Sequence, residues 1–277
     1  MELARQMIVK PWGRCDIAPD FAVPDGQRIG EIWYDAPGAD ALPLLVKWLF
    51  TSEKLSVQVH PNDAQAKARG HLSGKEECWY IVGAEPGAML GIGLKETADI
   101  DTLHRAALSG EIEALIDWRP VQAGEYYYIP AGTIHAIGQG VTLIEVQQYS
   151  DITYRLYDYG RLDNGKLRTL HLDDALAVAN PEPYRDSRSG RAAIGQMLVD
   201  GPHFRMMLLD GGCLQRLSEF DGRKWIVPVK GTISHDGGDA GAGDCLLLPP
   251  DATINLSYDA LILVAGVGLD PKSAAPR

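Results

Sequence analysis

Two histidines, a glutamate and a glutamine in this 277-residue chain are spaced so that short strands could bring them to one metal ion: Gln58, His60, Glu77 and His135. In the run from Leu55 to His60, alternation puts Ser56, Gln58 and His60 on one face of a strand and Leu55, Val57 and Val59 on the other. The next run, Lys75 to Val82, offers Lys75 and Glu77 from one face; a slip of one residue in register would offer Glu76 instead. His135 closes the stretch that begins at Gly124. Its aromatic run, Tyr126 to Tyr128, reads as a half-buried strand, Pro130 stops that strand, and Gly132 permits the turn that carries His135 back. Two neutral imidazoles, a carboxylate and an amide oxygen form a mixed N/O set suited to zinc, with room for water or a substrate oxygen. Two histidines and a carboxylate also suit iron(II), so an iron-dependent oxygenase is one alternative, against which Gln58 argues. A non-catalytic sugar-binding protein is another.

The elements that must position these residues are mostly strands. Strand-like runs at Leu44 to Phe50, Leu55 to His60, Cys78 to Val82, Glu125 to Ile129 and Val141 to Gln147 are separated by Gly, Pro and Asp clusters, a spacing that suggests a barrel or sandwich. Helices are expected after Asn62, which can act as a cap, from Asp99 to Trp118, and from His171 to Asn180. The composition after Pro181 shifts to Pro, Arg, Ser and Gly as far as Gly190, which reads as a linker. Cys78 alternates with the candidate site residues and should pack on the opposite face of its strand. A hydrophobic content of 45% supports a substantial core, and a net charge of -11 argues against nucleic acid or an anionic membrane as a general partner. Four scattered cysteines with no Cys-x-x-Cys pair, and no signal peptide or long apolar span, make the cytoplasm the expected compartment.

The stretch from Gly124 to His135 resembles the second cupin motif, with Gln139 where that motif usually ends in asparagine. Lys-Pro-Trp-Gly at 10 to 13, Ile-Gly-Glu-Ile-Trp at 29 to 33, Leu-Ser-Val-Gln-Val-His-Pro at 55 to 61, Gly-Lys-Glu-Glu-Cys-Trp-Tyr-Ile at 74 to 81 and Ser-Asp-Ile-Thr-Tyr-Arg-Leu-Tyr-Asp-Tyr at 150 to 159 are similar to type I phosphomannose isomerases of the short bacterial form. The resemblance covers the first two thirds of the chain strongly. It implies a mainly β fold of two cupin, jelly-roll-like β-barrel lobes with a few short helices, and one zinc ion bound by Gln58, His60, Glu77 and His135. It also implies conversion of mannose 6-phosphate to fructose 6-phosphate through an enediolate. Departures are Glu76, where small or hydroxyl residues are common, and Ile137, where longer members often carry tyrosine.

By the same resemblance, Glu145 and Arg155 are expected catalytic residues and Asp151 and Arg161 expected substrate-binding ones; Lys75, an ammonium directed at the metal pocket, joins the first group, and Ser56, on the ligand face of its strand, joins the second. Glu145 is the preferred acid/base group, with Lys75 or a water on the metal as alternatives. Arg155 would stabilise developing charge, and Arg161 with Lys75 would engage phosphate or nearby hydroxyls. His71, His104, His171, His203 and His235 have no ligand-like spacing and read as surface or structural. Residues 243 to 254 keep the glycine, strand and proline of the first motif but carry Asp251 and Ile254 where Gly132 and His135 stood. The expected organisation is therefore a catalytic lobe at 1–180, a linker at 181–190 and a second lobe without metal at 191–277.

Overall fold

Alternating burial along the strands sorts this chain into stacked layers. The structure, a computed structural model, describes residues 1–17, 21–36, 42–163 and 165–269. One antiparallel sheet of seven strands runs in the order Ala4–Arg14, Ile29–Asp35, Leu44–Phe50, Val141–Gln148, Glu77–Ala84, Glu125–Ile129 and Ser189–Arg191. A five-stranded sheet, in the order Tyr154–Tyr157, Val57–Val59, His135–Ile137, Met89–Leu94 and Ile116–Pro120, faces it. Leu49, Trp79, Ile81 and Leu143 from the first sheet and Leu90, Ile92 and Ile137 from the second share one apolar core between them. Neither sheet closes on itself among the described residues, so the expected barrel stands here as a pair of facing sheets.

The opposite face of the seven-stranded sheet is apolar as well. Trp48, Phe50, Cys78, Tyr80, Ile144 and Val146 meet Phe204, Met206, Trp225 and Leu263 of a C-terminal five-stranded sheet in a continuous buried cluster. Cys78 thus packs away from Glu77, as period-two alternation requires. Three short helices, Ile100–Ser109, Ile112–Leu115 and Leu172–Val178, cover the outer face of the other sheet through Leu103, Ala107, Ile112, Ala175 and Val178.

Two local expectations change in the structure. The single helix expected over 99–118 breaks at Gly110, which adopts φ 85° as a left-handed cap, and Ile116–Pro120 becomes a strand. A side chain at Gly110 would strike the Tyr157 hydroxyl, so tertiary packing reinforces the break. The strand expected over Leu55 to His60 is only Val57–Val59, although its alternation holds. Asn62 caps Asp63–Lys67 with a reciprocal capping box, as its position suggested. The stretch read as a linker ends in Ser189–Arg191, which pairs with Glu125–Ile129, and Arg188 lies 3.7 Å over the Tyr128 ring. Ile254 is buried in a small strand, Ile254–Leu256, and positions 270–277 of the expected second lobe lie outside the described residues.

Candidate functional site

Gly132 adopts φ 87°, a left-handed conformation that suits glycine, and its amide donates to the His60 carbonyl at 2.8 Å. That turn fixes the two histidine segments against each other before any side chain is considered. His135 then pairs directly with Gln58 on the neighbouring strand. Glu77 reaches the same point from the facing sheet. His60, Glu77 and His135 are all fully buried, and their candidate ligand atoms lie within 4.8 Å of one another. Glu76 is excluded from this cluster by the pleat: it accepts a hydrogen bond from Tyr128 Oη and lies 3.7 Å from His203 Nε2.

The donor set fits a cation. His60 Nδ1 lies 2.9 Å from the Ile152 carbonyl and His135 Nδ1 lies 2.9 Å from the Thr133 carbonyl. A carbonyl can only accept, so each Nδ1 carries the proton and each Nε2 presents a lone pair. Those lone pairs face the Glu77 carboxylate at 3.5 Å from His60 and 3.3 Å from His135. Acceptor facing acceptor in a buried site is unfavourable until a proton or a metal cation lies between them, and His60 Nε2 has no hydrogen-bond partner among the described residues. Burial pushes His135 down to about 4, and burial with the charges of Lys75 and His135 pushes His60 well below its ordinary value, so both rings are neutral ligands near pH 7. Gln58 Nε2 lies 3.2 Å from His135 Nε2. Turning the amide over would aim its oxygen at the cluster while the NH₂ met Ser56 Oγ, which now donates to Gln58 Oε1 at 3.2 Å.

Next to this cluster, and in touch with it through Gln58 and Lys75, lies a cavity of about 220 Å³ lined by those two residues with Ser56, Glu145, Asp151 and Arg155 among others; His60, Glu77 and His135 do not line it. Five of the six residues expected to act on substrate are thus brought together with Gln58. Arg161 is the exception: its guanidinium is tied to Asp158 Oδ1 at 3.1 Å and to the Lys54 carbonyl, and it does not line the cavity. Arg168 lines it instead, and so does His171, whose spacing in the chain carries no sign of a site. Lys75 Nζ reaches Glu77 Oε2 at 3.1 Å, and the charges of Glu77 and Glu145 overcome the burial that would otherwise lower its pKa.

The cavity wall also holds charges that motif reading passed over. Across four strands of the seven-stranded sheet, Trp33 pairs in register with Lys47, Lys47 with Glu145, and Glu145 with Trp79. Trp79 Nε1 donates to Glu145 Oε1 at 3.1 Å, while Lys47 Nζ lies 3.2 Å from Glu145 Oε2 and 4.5 Å over the Trp33 ring. Glu31 continues the network, 4.0 Å from Lys47 and 3.1 Å from Lys10. Burial alone would raise Glu145, but the charges of Lys47 and Lys75 outweigh it and hold the carboxyl below its usual range. Glu77, beside it, is pushed up by burial. A lone lysine within the apolar run Leu44 to Phe50 was the available signal for Lys47.

No family model matches the chain. Among curated proteins, it is 41% identical over 173 residues to a mannose-6-phosphate isomerase of Streptococcus mutans, covering 60% of this chain and 54% of that one. It is 42% identical over 162 residues to a mannose-6-phosphate isomerase of Bacillus subtilis, covering 55% and 51%. The resemblance to mannose-6-phosphate isomerases is borne out. The match spans about half the length of these relatives. Among solved structures, the mannose 6-phosphate isomerase of Bacillus subtilis superposes with a TM-score of 0.78 at 24% identity, over 96% of this chain and 99% of that one. A phosphomannose isomerase from Salmonella typhimurium gives 0.69 at 14% identity, over 97% and 99%. At these identities the structural likeness establishes a shared mainly β fold.

Proposed function

We propose that this chain is a zinc-dependent aldose-ketose isomerase that interconverts mannose 6-phosphate and fructose 6-phosphate. The observation that carries the reading is the Glu77 carboxylate set between two imidazole lone pairs, joined through Gln58 and Lys75 to a cavity whose wall also presents Glu145 and Arg155. Gln58, His60, Glu77 and His135 would hold one zinc ion. When bound, a divalent cation supplies Lewis-acid polarisation of the sugar oxygens and offsets negative charge at the reacting carbons.

This chain's own groups divide the remaining work. Glu145, held ionised and fixed by Trp79 and Lys47, takes the proton from C2 of the open-chain aldose to give an enediolate and returns it to C1, while the hydroxyl proton passes from O2 to O1 so that the carbonyl ends at C2. Lys75 is the second candidate for that transfer and otherwise orients a substrate oxygen. Arg155 stabilises charge developing on the enediolate, and Ser56 and Asp151 bind hydroxyls. We read residues 1–180 as the catalytic cupin lobe, 181–190 as its connection and 191–277 as a second cupin lobe without metal. No helix among the described residues is long and apolar enough to cross a membrane. The free thiols of Cys15, Cys78, Cys213 and Cys245 support the cytoplasm as the compartment.

The test is turnover of mannose 6-phosphate by purified protein before chelation, after it, and after return of zinc. Activity should be lost and regained with about one ion per chain. Zinc-loaded protein that converts no mannose 6-phosphate would overturn the enzyme assignment, and restoration by iron(II) alone would overturn the choice of metal.

A further inference from the structure

Two arginines follow the Tyr154–Tyr157 strand, and they face different surroundings. Arg161 points away from the cavity: besides Asp158 and the Lys54 carbonyl, its Nε lies 3.6 Å from Glu53 Oε2 and its guanidinium lies 4.9 Å over the Tyr159 ring. Arg168 lines the cavity, with Nη1 donating to Asp158 Oδ1 at 3.2 Å and Oδ2 at 3.0 Å. Asp158 is almost fully buried, so one carboxylate anchors both guanidinium groups, and Arg155 bears on the same carboxylate. The Asp158 corner thus gathers three guanidinium groups on one buried carboxylate, and of the two arginines that follow the strand it is Arg168 that lines the cavity.

His171 sits beside this corner. Its amide donates to the Arg155 carbonyl at 2.8 Å, and its Nδ1 accepts from the Arg155 amide at 3.2 Å, so the neutral ring carries its proton on Nε2. The order across the sheet sets the spacing. His135 pairs with Gln58 and Gln58 with Arg155, and His171 bonds to the backbone of Arg155 from the other side. At about 4.8 Å per strand, His171 stands roughly 10 Å from Gln58. A six-carbon sugar phosphate, with its carbonyl at one end and its phosphoryl group at the other, spans such a gap.

We propose that Arg168 and His171, rather than Arg161, hold the phosphoryl end of the substrate, and that Arg161 serves by sharing Asp158 and so keeping Arg168 in place. The identity of the sugar rests on the isomerase reading; the anion site itself does not. An arginine fork anchored on one edge is suited to a tetrahedral anion, because its fixed donors can meet two oxygens at once.

The test uses zinc-loaded protein with inorganic phosphate and mannose 6-phosphate as probes. Arg168→Gln should weaken phosphate binding, read by calorimetry, by about 10- to 100-fold, as expected for loss of one charge-assisted contact. It should raise KM for mannose 6-phosphate in parallel and leave kcat within about threefold, since binding is lost equally in ground and transition states. Arg168→Lys should recover part of the affinity. His171→Asn, whose side-chain oxygen can still accept from the Arg155 amide, should show a smaller loss of about fivefold, and Arg161→Gln a smaller loss still. Unchanged phosphate affinity in both Arg168→Gln and His171→Asn, or a larger loss in Arg161→Gln than in Arg168→Gln, would overturn the assignment. If the wild-type protein converts no mannose 6-phosphate, the isomerase reading fails and the phosphate titrations alone decide this one.

Discussion

Lys47→Met removes one buried cation while leaving all four proposed metal ligands untouched. Lys47 is 4% exposed at its side chain, with its Nζ 3.2 Å from Glu145 Oε2 and 4.0 Å from Glu31 Oε2. Methionine fills similar space, so the effect is electrostatic rather than a cavity. Two buried carboxylates are left on the same stretch of wall, and breaking a buried ion pair typically costs about 3–5 kcal/mol. Glu145 keeps Trp79, and Glu31 keeps Lys10 and Trp33, which argues for the lower end of that range. A loss of about 3 kcal/mol should lower Tm by roughly 6–12 °C in a chain of this size.

The pH dependence of that loss tests its cause. In the wild type the Glu145 carboxyl is held below its ordinary 4.5, so its contribution is present above pH 4.5 and is lost as pH falls through the folded value. Without Lys47, burial dominates and raises the carboxyl, so the penalty is present at neutral pH and fades in acid. The stability gap between variant and wild type should therefore narrow as pH falls from 7 to about 4.5. Adding Glu145→Gln to Lys47→Met should restore about half of the loss. Urea titrations at three pH values give all these quantities. A loss under about 1 kcal/mol, or a gap that neither acid nor Glu145→Gln reduces, would refute the electrostatic account.

The remaining predictions concern metal, turn and chemistry. His60→Ala and His135→Ala should each abolish stoichiometric zinc, measured by elemental analysis after dialysis, whereas Ile254→Ala should keep the metal and cost about 2–5 kcal/mol of stability by denaturant titration. Gly132→Ala should be destabilising by about 1–3 kcal/mol because φ 87° is strained for any side chain, and a metal titration should show weakened zinc binding because the turn sets His60 against His135. Glu145→Gln should slow turnover by roughly a hundredfold or more with zinc retained. Isomerisation in heavy water, followed by NMR of the product sugar, should place deuterium at the transferred position in the wild type; no label together with normal turnover in Glu145→Gln would remove Glu145 from the mechanism.

Lys47 also shows how the fold makes chemistry out of ordinary strand pairing. Trp33, Lys47, Glu145 and Trp79 come from four strands, and each interaction in their row joins registered neighbours. A cross-strand row of this kind fixes a carboxylate from both sides without using any residue near it in sequence.

What the sequence determined by itself is local. The alternation of Leu55 to His60, the Asn62 cap, and the Pro130 and Gly132 turn before His135 depend on backbone preferences within a few residues, and the contiguous motifs that carry the proposed ligands could be read directly. Leu44–Phe50 and Glu125–Ile129 were legible for the same reason. What only the tertiary structure decided depends on partners far along the chain. Gly110 ends its helix where the periodicity ran on: it takes a left-handed cap, and Tyr157, far along the chain, packs so close that any side chain at that position would strike its hydroxyl. Glu77 rather than Glu76 faces the imidazoles because pairing with Val141–Gln148 and Glu125–Ile129 fixes the pleat. Arg161 and Arg168 have the same chemistry and nearly the same neighbourhood in sequence. Which of them faces the cavity is set by how the segment after Tyr157 folds back on Asp158 and Arg155, and no pattern of residue types encodes that choice locally.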